Sequence, residues 1–244
     1  MSTTAVAEKT VLVTGANRGL GLALVDEALR RGATRVYAAS RQPFAHSDDR
    51  VTPLIMDVTD WAQIERAVES VESLDILINN AGVSLPDDLN SRAAFEQHFD
   101  VNVYGPLMVT QALLPSLTQS RGRIVNVVSI GAFAAVPILP AYSASKAAAF
   151  SVTQSLRALL AGRGVKVHAV LPGPIDTDMV RDLPIPKASP ESVARAILDG
   201  VELGEEEIFP DPFSQMQAES WSASAAKELE RQNAALIAPL ALAA

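Results

Sequence analysis

The chain has 244 residues, 48% of them apolar, with a net charge of −8 and no cysteine. That apolar fraction fills a core of this size and sets disorder aside. The acidic balance argues against a nucleic-acid or anionic-membrane surface, since both want clustered Lys and Arg, and the missing cysteine excludes a disulfide, a thiolate metal site and a Cys nucleophile.

Met1 to Thr10 lacks the basic-then-apolar pattern of a secretory signal. A β-rich run at Thr10–Thr14 then passes through Thr14-Gly15-Ala16-Asn17-Arg18-Gly19-Leu20-Gly21 into helical spacing over Leu20–Arg31. Glycines at such a junction let the chain turn tightly and let a pyrophosphate approach the backbone at the positive end of the following helix. Glycines after a first strand also serve as plain turn residues, and the spacing here is Gly-x-x-x-Gly-x-Gly; the strand-to-helix position is what favours a phosphate loop. Gly15, Asn17, Arg18, Gly19, Leu20 and Gly21 are therefore candidate dinucleotide ligands.

The second predicted strand, Arg35–Ala39, tests the coenzyme. An NAD enzyme usually carries an acid about 20 residues past the loop, on the adenosine ribose hydroxyls. Here that place reads Ala38-Ala39-Ser40-Arg41, with Arg18 in the loop as a second cation. Two guanidinium groups can flank a 2′-phosphate, whose geometry Arg matches well. NADPH is the expected coenzyme, against the bland alternative of two solvated arginines.

Further strands are predicted at Leu54–Met56, Leu74–Ile78, Arg123–Val128, Val165–Leu171 and Glu207–Phe209, and helices at Trp61–Ser73, Val103–Thr118, Ser143–Leu160 and Pro190–Leu203. Ser214–Ile237 reads as mostly helical within a C-terminal extension over 212–244, whose last residues are expected to fray. Strands that are apolar throughout suit a sheet covered on both faces. The alternation predicts an α/β fold: a Rossmann-type, doubly wound parallel sheet of about seven strands with helices on both faces, forming one domain over 1–244. No apolar run approaches the ~18 uncharged residues of a bilayer span, so a cytoplasmic protein without a membrane or nucleic-acid partner is expected.

Tyr142-Ser143-Ala144-Ser145-Lys146 opens a predicted helix. Residues at i and i+4 share a helix face, so Tyr142 and Lys146 can point into one cleft. A phenol with its usual pKa near ~10 needs a nearby cation to supply its anion at moderate pH. Such a Tyr can protonate a carbonyl oxygen or deprotonate an alcohol.

With these residues in place the chain resembles the short-chain dehydrogenase/reductase family in its simple single-domain form. The matching motifs are Thr14-Gly15-x-x-x-Gly19-x-Gly21, Asp57-Val58, Asn79-Asn80-Ala81-Gly82, Val101-Asn102, Ser129, Tyr142-x-x-x-Lys146 and Pro172-Gly173-Pro174-Ile175-x-Thr177. The resemblance implies that Ser129 donates a hydrogen bond to the substrate oxygen and that Tyr142 is the general acid or base. It implies that Lys146 binds the nicotinamide ribose and lowers the Tyr142 pKa, and that Asn102 holds, through its backbone carbonyl, a water linking Lys146 to solvent. Asp57 and Val58 would hold the adenine, Asn80, Ala81 and Gly82 would line the cofactor cleft, and Ile175 and Thr177, after Pro172 and Gly173, would fix the carboxamide. The reaction implied interconverts a ketone or aldehyde with its alcohol. A dinucleotide-binding sensor or scaffold without turnover is the alternative, and the intact Asn102, Ser129, Tyr142 and Lys146 speak against it.

Other features read as structural. His46, His98 and His168 lack metal-ligand spacing, Glu205-Glu206-Glu207 reads as a solvated turn, Trp61 and Trp221 as packing residues, and Asp176 and Asp178 as helix caps. The segment between Thr177 and Pro190, the lid position in this family, is short. With walls expected from Val83, Ala132, Phe133, Ile138, Leu139, Pro174 and Met179, the pocket suits an aromatic or aliphatic ketone. The helices Val103–Thr118 and Ser143–Leu160, rich in small residues, are expected to build a homo-tetramer or homo-dimer.

Overall fold

A computed structural model describes residues 6–181 and 184–237. Residues 1–5, Asp182 and Leu183 of the expected lid, and 238–244, where fraying is expected, lie outside the described residues.

Seven strands, β1 (Thr10–Thr14), β2 (Arg35–Ser40), β3 (Val51–Ile55), β4 (Ile76–Asn79), β5 (Arg123–Val127), β6 (Lys166–Val170) and β7 (Glu207–Ile208), form one sheet in the order β3-β2-β1-β4-β5-β6-β7. Every pairing is parallel. Successive strand residues point to opposite faces, and both faces are apolar. Val11, Val13, Val36, Ala38, Ile76 and Ile78 pack under α1 (Gly19–Arg30) and α6 (Pro190–Leu203). Leu12, Tyr37, Ala39, Leu77 and Ile124 pack under α2 (Trp61–Glu69), α4 (Gly105–Ser120) and the far end of α5 (Pro140–Ala161). The chain reverses its winding between β1 and β4, and an open sheet of this order binds ligands at the carboxyl ends of its strands beside that switch point.

Two features of the strands and helices depart from the sequence reading for identifiable reasons. β3 begins at Val51 and runs through Pro53, which pairs with Ala38; an outermost strand tolerates a residue without an N–H. A helix α3 (Arg92–Phe99) stands where none is expected, because His98 is its one buried residue and its apolar stripe is weak. The C-terminal extension is mostly helical, as expected, in three short helices, α7 (Pro212–Gln215), α8 (Ala218–Ser222) and α9 (Ala225–Ala234). Arg31 fastens α1 to α6 through Glu27, Asp199 and Glu202.

Candidate active site

A cleft of about 770 Å³ runs along the carboxyl ends of the strands, within the usual range for small-molecule sites. All of the cofactor and catalytic residues named from the sequence line it except Asn102, which lies directly behind.

The glycine loop forms one end. Gly15 takes a left-handed φ of 65°, which favours glycine. At Gly21 the demand is space: a Cβ there would lie 2.0 Å from the Gly15 carbonyl oxygen. Asn80 braces this packing, its Nδ2 donating to the carbonyls of Thr14 (2.9 Å) and Gly15 (3.2 Å). α1 starts from Arg18 without a side-chain cap, so its first amides are available to an anion.

Further along the cleft, Ser40 is buried and its hydroxyl donates to the Gln42 carbonyl at 2.6 Å. Arg41 is exposed at the cleft margin. The Arg18 guanidinium donates to Asp178 at 2.8 Å, so it reaches toward the segment after Thr177, and Asp178 also pairs with Arg181. Asp178 thus acts as an ion-pair partner across the cleft rather than as a helix cap. The Asp57 carboxylate accepts from the amide and hydroxyl of Thr59 (2.9 and 2.8 Å). Val58 packs so closely on α4 that a Cβ at Gly105 would meet its Cγ2 at 2.8 Å.

The catalytic candidates converge beyond β5. Ser129 starts a 3₁₀ turn over Ile130–Ala132, and its oxygen accepts from the Gly131 amide at 3.0 Å. α5 begins earlier than expected, at Pro140, which puts Tyr142 and Lys146 in its first two turns. The Lys146 Nζ lies 5.7 Å from the Tyr142 ring centroid and donates to the Val127 carbonyl at 2.9 Å. Burial pushes Lys146 down to about 8. Burial pushes the Tyr142 phenol up, and a hydrogen bond from Ser129 opposes that shift.

Asn102 sits in a π-helical turn, Asp100–Tyr104, a widened form that recurs at functional sites. Its side chain accepts from the Val83 amide (2.9 Å) and donates to the Val83 carbonyl (3.0 Å) and the Ser145 hydroxyl (2.9 Å). Two anchors of the same wall have no signal in the sequence. Leu85 N–H donates to His98 Nε2 (3.0 Å), so Nδ1 carries the proton given to the Ala94 carbonyl. Asp87 accepts from the Ala141 amide (3.2 Å), capping the helix that carries Tyr142.

Of the expected walls, Val83, Pro174 and Met179 line the cleft, whereas Ala132, Phe133, Ile138 and Leu139 do not. Phe133 turns away to stack on Trp221 at 4.5 Å and to meet Phe150 edge-on, and Ile138 is 65% exposed. Glu206 and Glu207 are not a free turn: with Glu230 they pair with Lys227 and Arg157. His168 is buried in β6, with its Nδ1 donating to the Glu205 carbonyl.

Residues 9–187 match the family model described as short chain dehydrogenase. An uncharacterized oxidoreductase of Staphylococcus saprophyticus is 32% identical over 210 residues, covering 78% of this chain and 90% of that protein. A 3-oxoacyl-[acyl-carrier-protein] reductase of Haemophilus influenzae is 34% identical over 188 residues, covering 72% and 77%. Among solved structures, a short chain dehydrogenase from Burkholderia cenocepacia in complex with NADP superposes with a TM-score of 0.85 at 37% identity, over 93% of this chain and 98% of that one.

Proposed function

The chain belongs to the short-chain dehydrogenase/reductase family of oxidoreductases, and from that premise we propose that it is an NADPH-dependent carbonyl reductase, interconverting a ketone or aldehyde with its alcohol. The observation that carries this reading is the convergence of Ser129, Tyr142 and Lys146 on the cleft that the glycine loop opens. The residues fit a dinucleotide: the uncapped start of α1 and the Gly15–Gly21 cradle suit a pyrophosphate. Arg41, with no acid beside it, suits a 2′-phosphate. Asp57 and Val58 would hold the adenine, Asn80 to Gly82 the central stretch, Lys146 the nicotinamide ribose, and Ile175 and Thr177 the carboxamide. When bound, the nicotinamide supplies or accepts the hydride.

The chain's own part is positioning and proton management. Ser129 donates to the substrate oxygen and stabilises charge developing there. Tyr142 passes its phenolic proton to that oxygen in reduction and takes it back in oxidation. Burial keeps Tyr142 protonated at neutral pH, which suits the reductive direction. Lys146 restores the proton, and Asn102 supports the relay from behind. Val83, Pro174 and Met179 give an apolar wall for the carbon skeleton of a ketone.

The 16- and 22-residue helices α4 and α5, with Tyr104 and Leu159 exposed near them, support a homo-oligomer. No described helix is long and apolar enough to cross a membrane, in keeping with a cytoplasmic location.

The test is a panel of ketones and aldehydes followed by NADPH absorbance, with NADH in parallel and Tyr142→Phe beside the wild type. Turnover with NADPH, cut by about 10²–10⁴-fold in Tyr142→Phe while NADPH still binds, is expected. Tight NADPH binding with no turnover on any carbonyl would leave the sensor reading in place.

A further inference from the structure

The segment after β7 touches both loops that flank the nicotinamide end of the cleft. Asp211 caps the short helix α7, accepting from the Ser214 amide at 2.9 Å on Oδ1. A cap needs one side-chain oxygen, and Asn or Ser would supply it. Asp211 uses two: Oδ2 accepts from the Gly173 amide at 2.8 Å, and the Ser214 hydroxyl donates to the same oxygen at 2.9 Å. Asp211 is 2% exposed. A carboxylate buried among neutral donors is costly unless its oxygens are in use, so the second oxygen on Gly173 calls for a function that capping does not explain.

Gly173 is shaped to the same contact. It is not left-handed; rather, a Cβ there would lie 2.8 Å from Asp211 Oδ1 and 2.8 Å from the Phe213 ring. The glycine of the Pro172-Gly173-Pro174 stretch is therefore required by what the C-terminal segment places against it. The connection goes on to the Ser129 turn, because the Ile130 amide donates to the Pro172 carbonyl at 3.0 Å. On its far side that turn ends at Phe133, stacked on Trp221 of α8 with the rings 16° from parallel. Lys227 and Arg157, through Glu206, Glu207 and Glu230, hold α9 down behind this contact.

We propose that Asp211 is a positioning residue that sets the Pro172–Thr177 loop, and with it the Ser129 turn, relative to the nicotinamide. This inference rests on the nicotinamide reading given above. A carboxylate with one oxygen on α7 and the other on the loop makes the C-terminal segment part of the site's scaffold, though none of it need touch the substrate. Misplacing a reacting group by about 1 Å costs on the order of 10² in rate, so the loop's exact seat matters.

The experiment separates the seat of the loop from general stability. Asp211→Asn keeps the size and offers only one carbonyl, enough for α7 or for Gly173 but not for both. Gly173→Ala presses from the loop side on Asp211 Oδ1 and on the Phe213 ring, and leaves both carboxylate oxygens in place. Hydrogen exchange is measured first, on the protein without coenzyme, comparing the peptide over 171–178 with those of β1 and β4. Binding of NADPH is then compared with binding of 2′,5′-ADP, which carries the adenosine half alone. In both variants, exchange at 171–178 is expected to quicken while β1 and β4 stay protected. NADPH is expected to weaken about tenfold with 2′,5′-ADP unchanged, and kcat to fall more than the KM for the carbonyl rises. Wild-type exchange at 171–178 in both variants, or equal weakening of the two ligands, would overturn the proposal. A wild type that binds neither ligand would refute the coenzyme reading, while the exchange comparison would still decide the role of Asp211.

Discussion

Lys146→Met should make the protein more stable and inactive at once. The Lys146 side chain is 5% exposed, and burial lowers it from 10.5 to about 8. Each pKa unit is about 1.36 kcal/mol, so keeping this ammonium buried and charged costs about 3 kcal/mol at pH 7. The unfolded chain holds the proton more tightly than the folded one, so the cost is constant below pH 8. It is relieved as pH rises from 8 toward 10.5, since stability rises with pH wherever the unfolded state binds more protons. Methionine keeps the apolar stem and removes the charge, but it also removes the bond to the Val127 carbonyl, worth about 1 kcal/mol. The net gain is about 2 kcal/mol, or about 4–8 °C in Tm for a chain of this length. Urea denaturation of both proteins at pH 7, 9 and 10.5 measures it directly. The variant should lead at pH 7 and lose that lead by pH 10.5. A variant less stable than wild type at pH 7, or a lead that persists to pH 10.5, would refute the reasoning.

Arg41→Ala should cost NADPH about tenfold in affinity and leave NADH alone, whereas Asp178→Asn, by releasing Arg18 from an exposed pair worth up to about 1 kcal/mol, should tighten NADPH up to about fivefold. Fluorescence titration with both coenzymes reads each effect, and equal changes for NADPH and NADH would contradict the 2′-phosphate assignment. Gly21→Ala drives a methyl into the Gly15 carbonyl and to 2.7 Å from Asn80 Nδ2; a loss of at least about 2 kcal/mol in denaturation and no measurable NADPH binding are expected, and a variant that binds normally would count against the cradle. Burial lowers His168 from 6.5 to about 4, so its contribution is intact above pH 6.5 and lost as pH falls toward 4, by about 3 kcal/mol. His168→Asn should flatten the acid limb of the stability curve by that amount, and parallel curves for the two proteins would exclude the histidine as its cause.

The doubly wound sheet is legible in the sequence because strands such as Val11-Leu12-Val13 and Ile76-Leu77-Ile78 are apolar at every position, which only a sheet covered on both faces requires. Tyr142 and Lys146 are legible because helical spacing puts them on one face and because they stand in order among the other motifs of the family, without which a Tyr and a Lys four apart would be commonplace. Pro53 hides the start of β3, since a proline reads as a break unless the strand is known to lie outermost. Arg18 and Asp178 are 160 residues apart, and no local pattern foretells that an arginine of the phosphate loop meets a carboxylate beyond Thr177. Phe133 reads as a pocket wall from its nearness to Ser129, but its direction is set by Trp221, on a helix 85 or more positions further on. Asp211 and Asp87 escape for the same reason, as each binds an amide far along the chain, Gly173 for the first and Ala141 at the start of α5 for the second.

The placing of Pro53 bears on how the molecule behaves in a crowd. An open sheet ends in two unpaired edges, each a template for a strand from another chain. β3 offers an edge interrupted by a residue with no N–H to give, and β7, at the other end, is two residues long. A passing strand finds no long continuous ladder to extend on either side. The sheet is thereby guarded against fibril-type self-association at both margins, and replacing Pro53 by Val would remove that guard from the longer one.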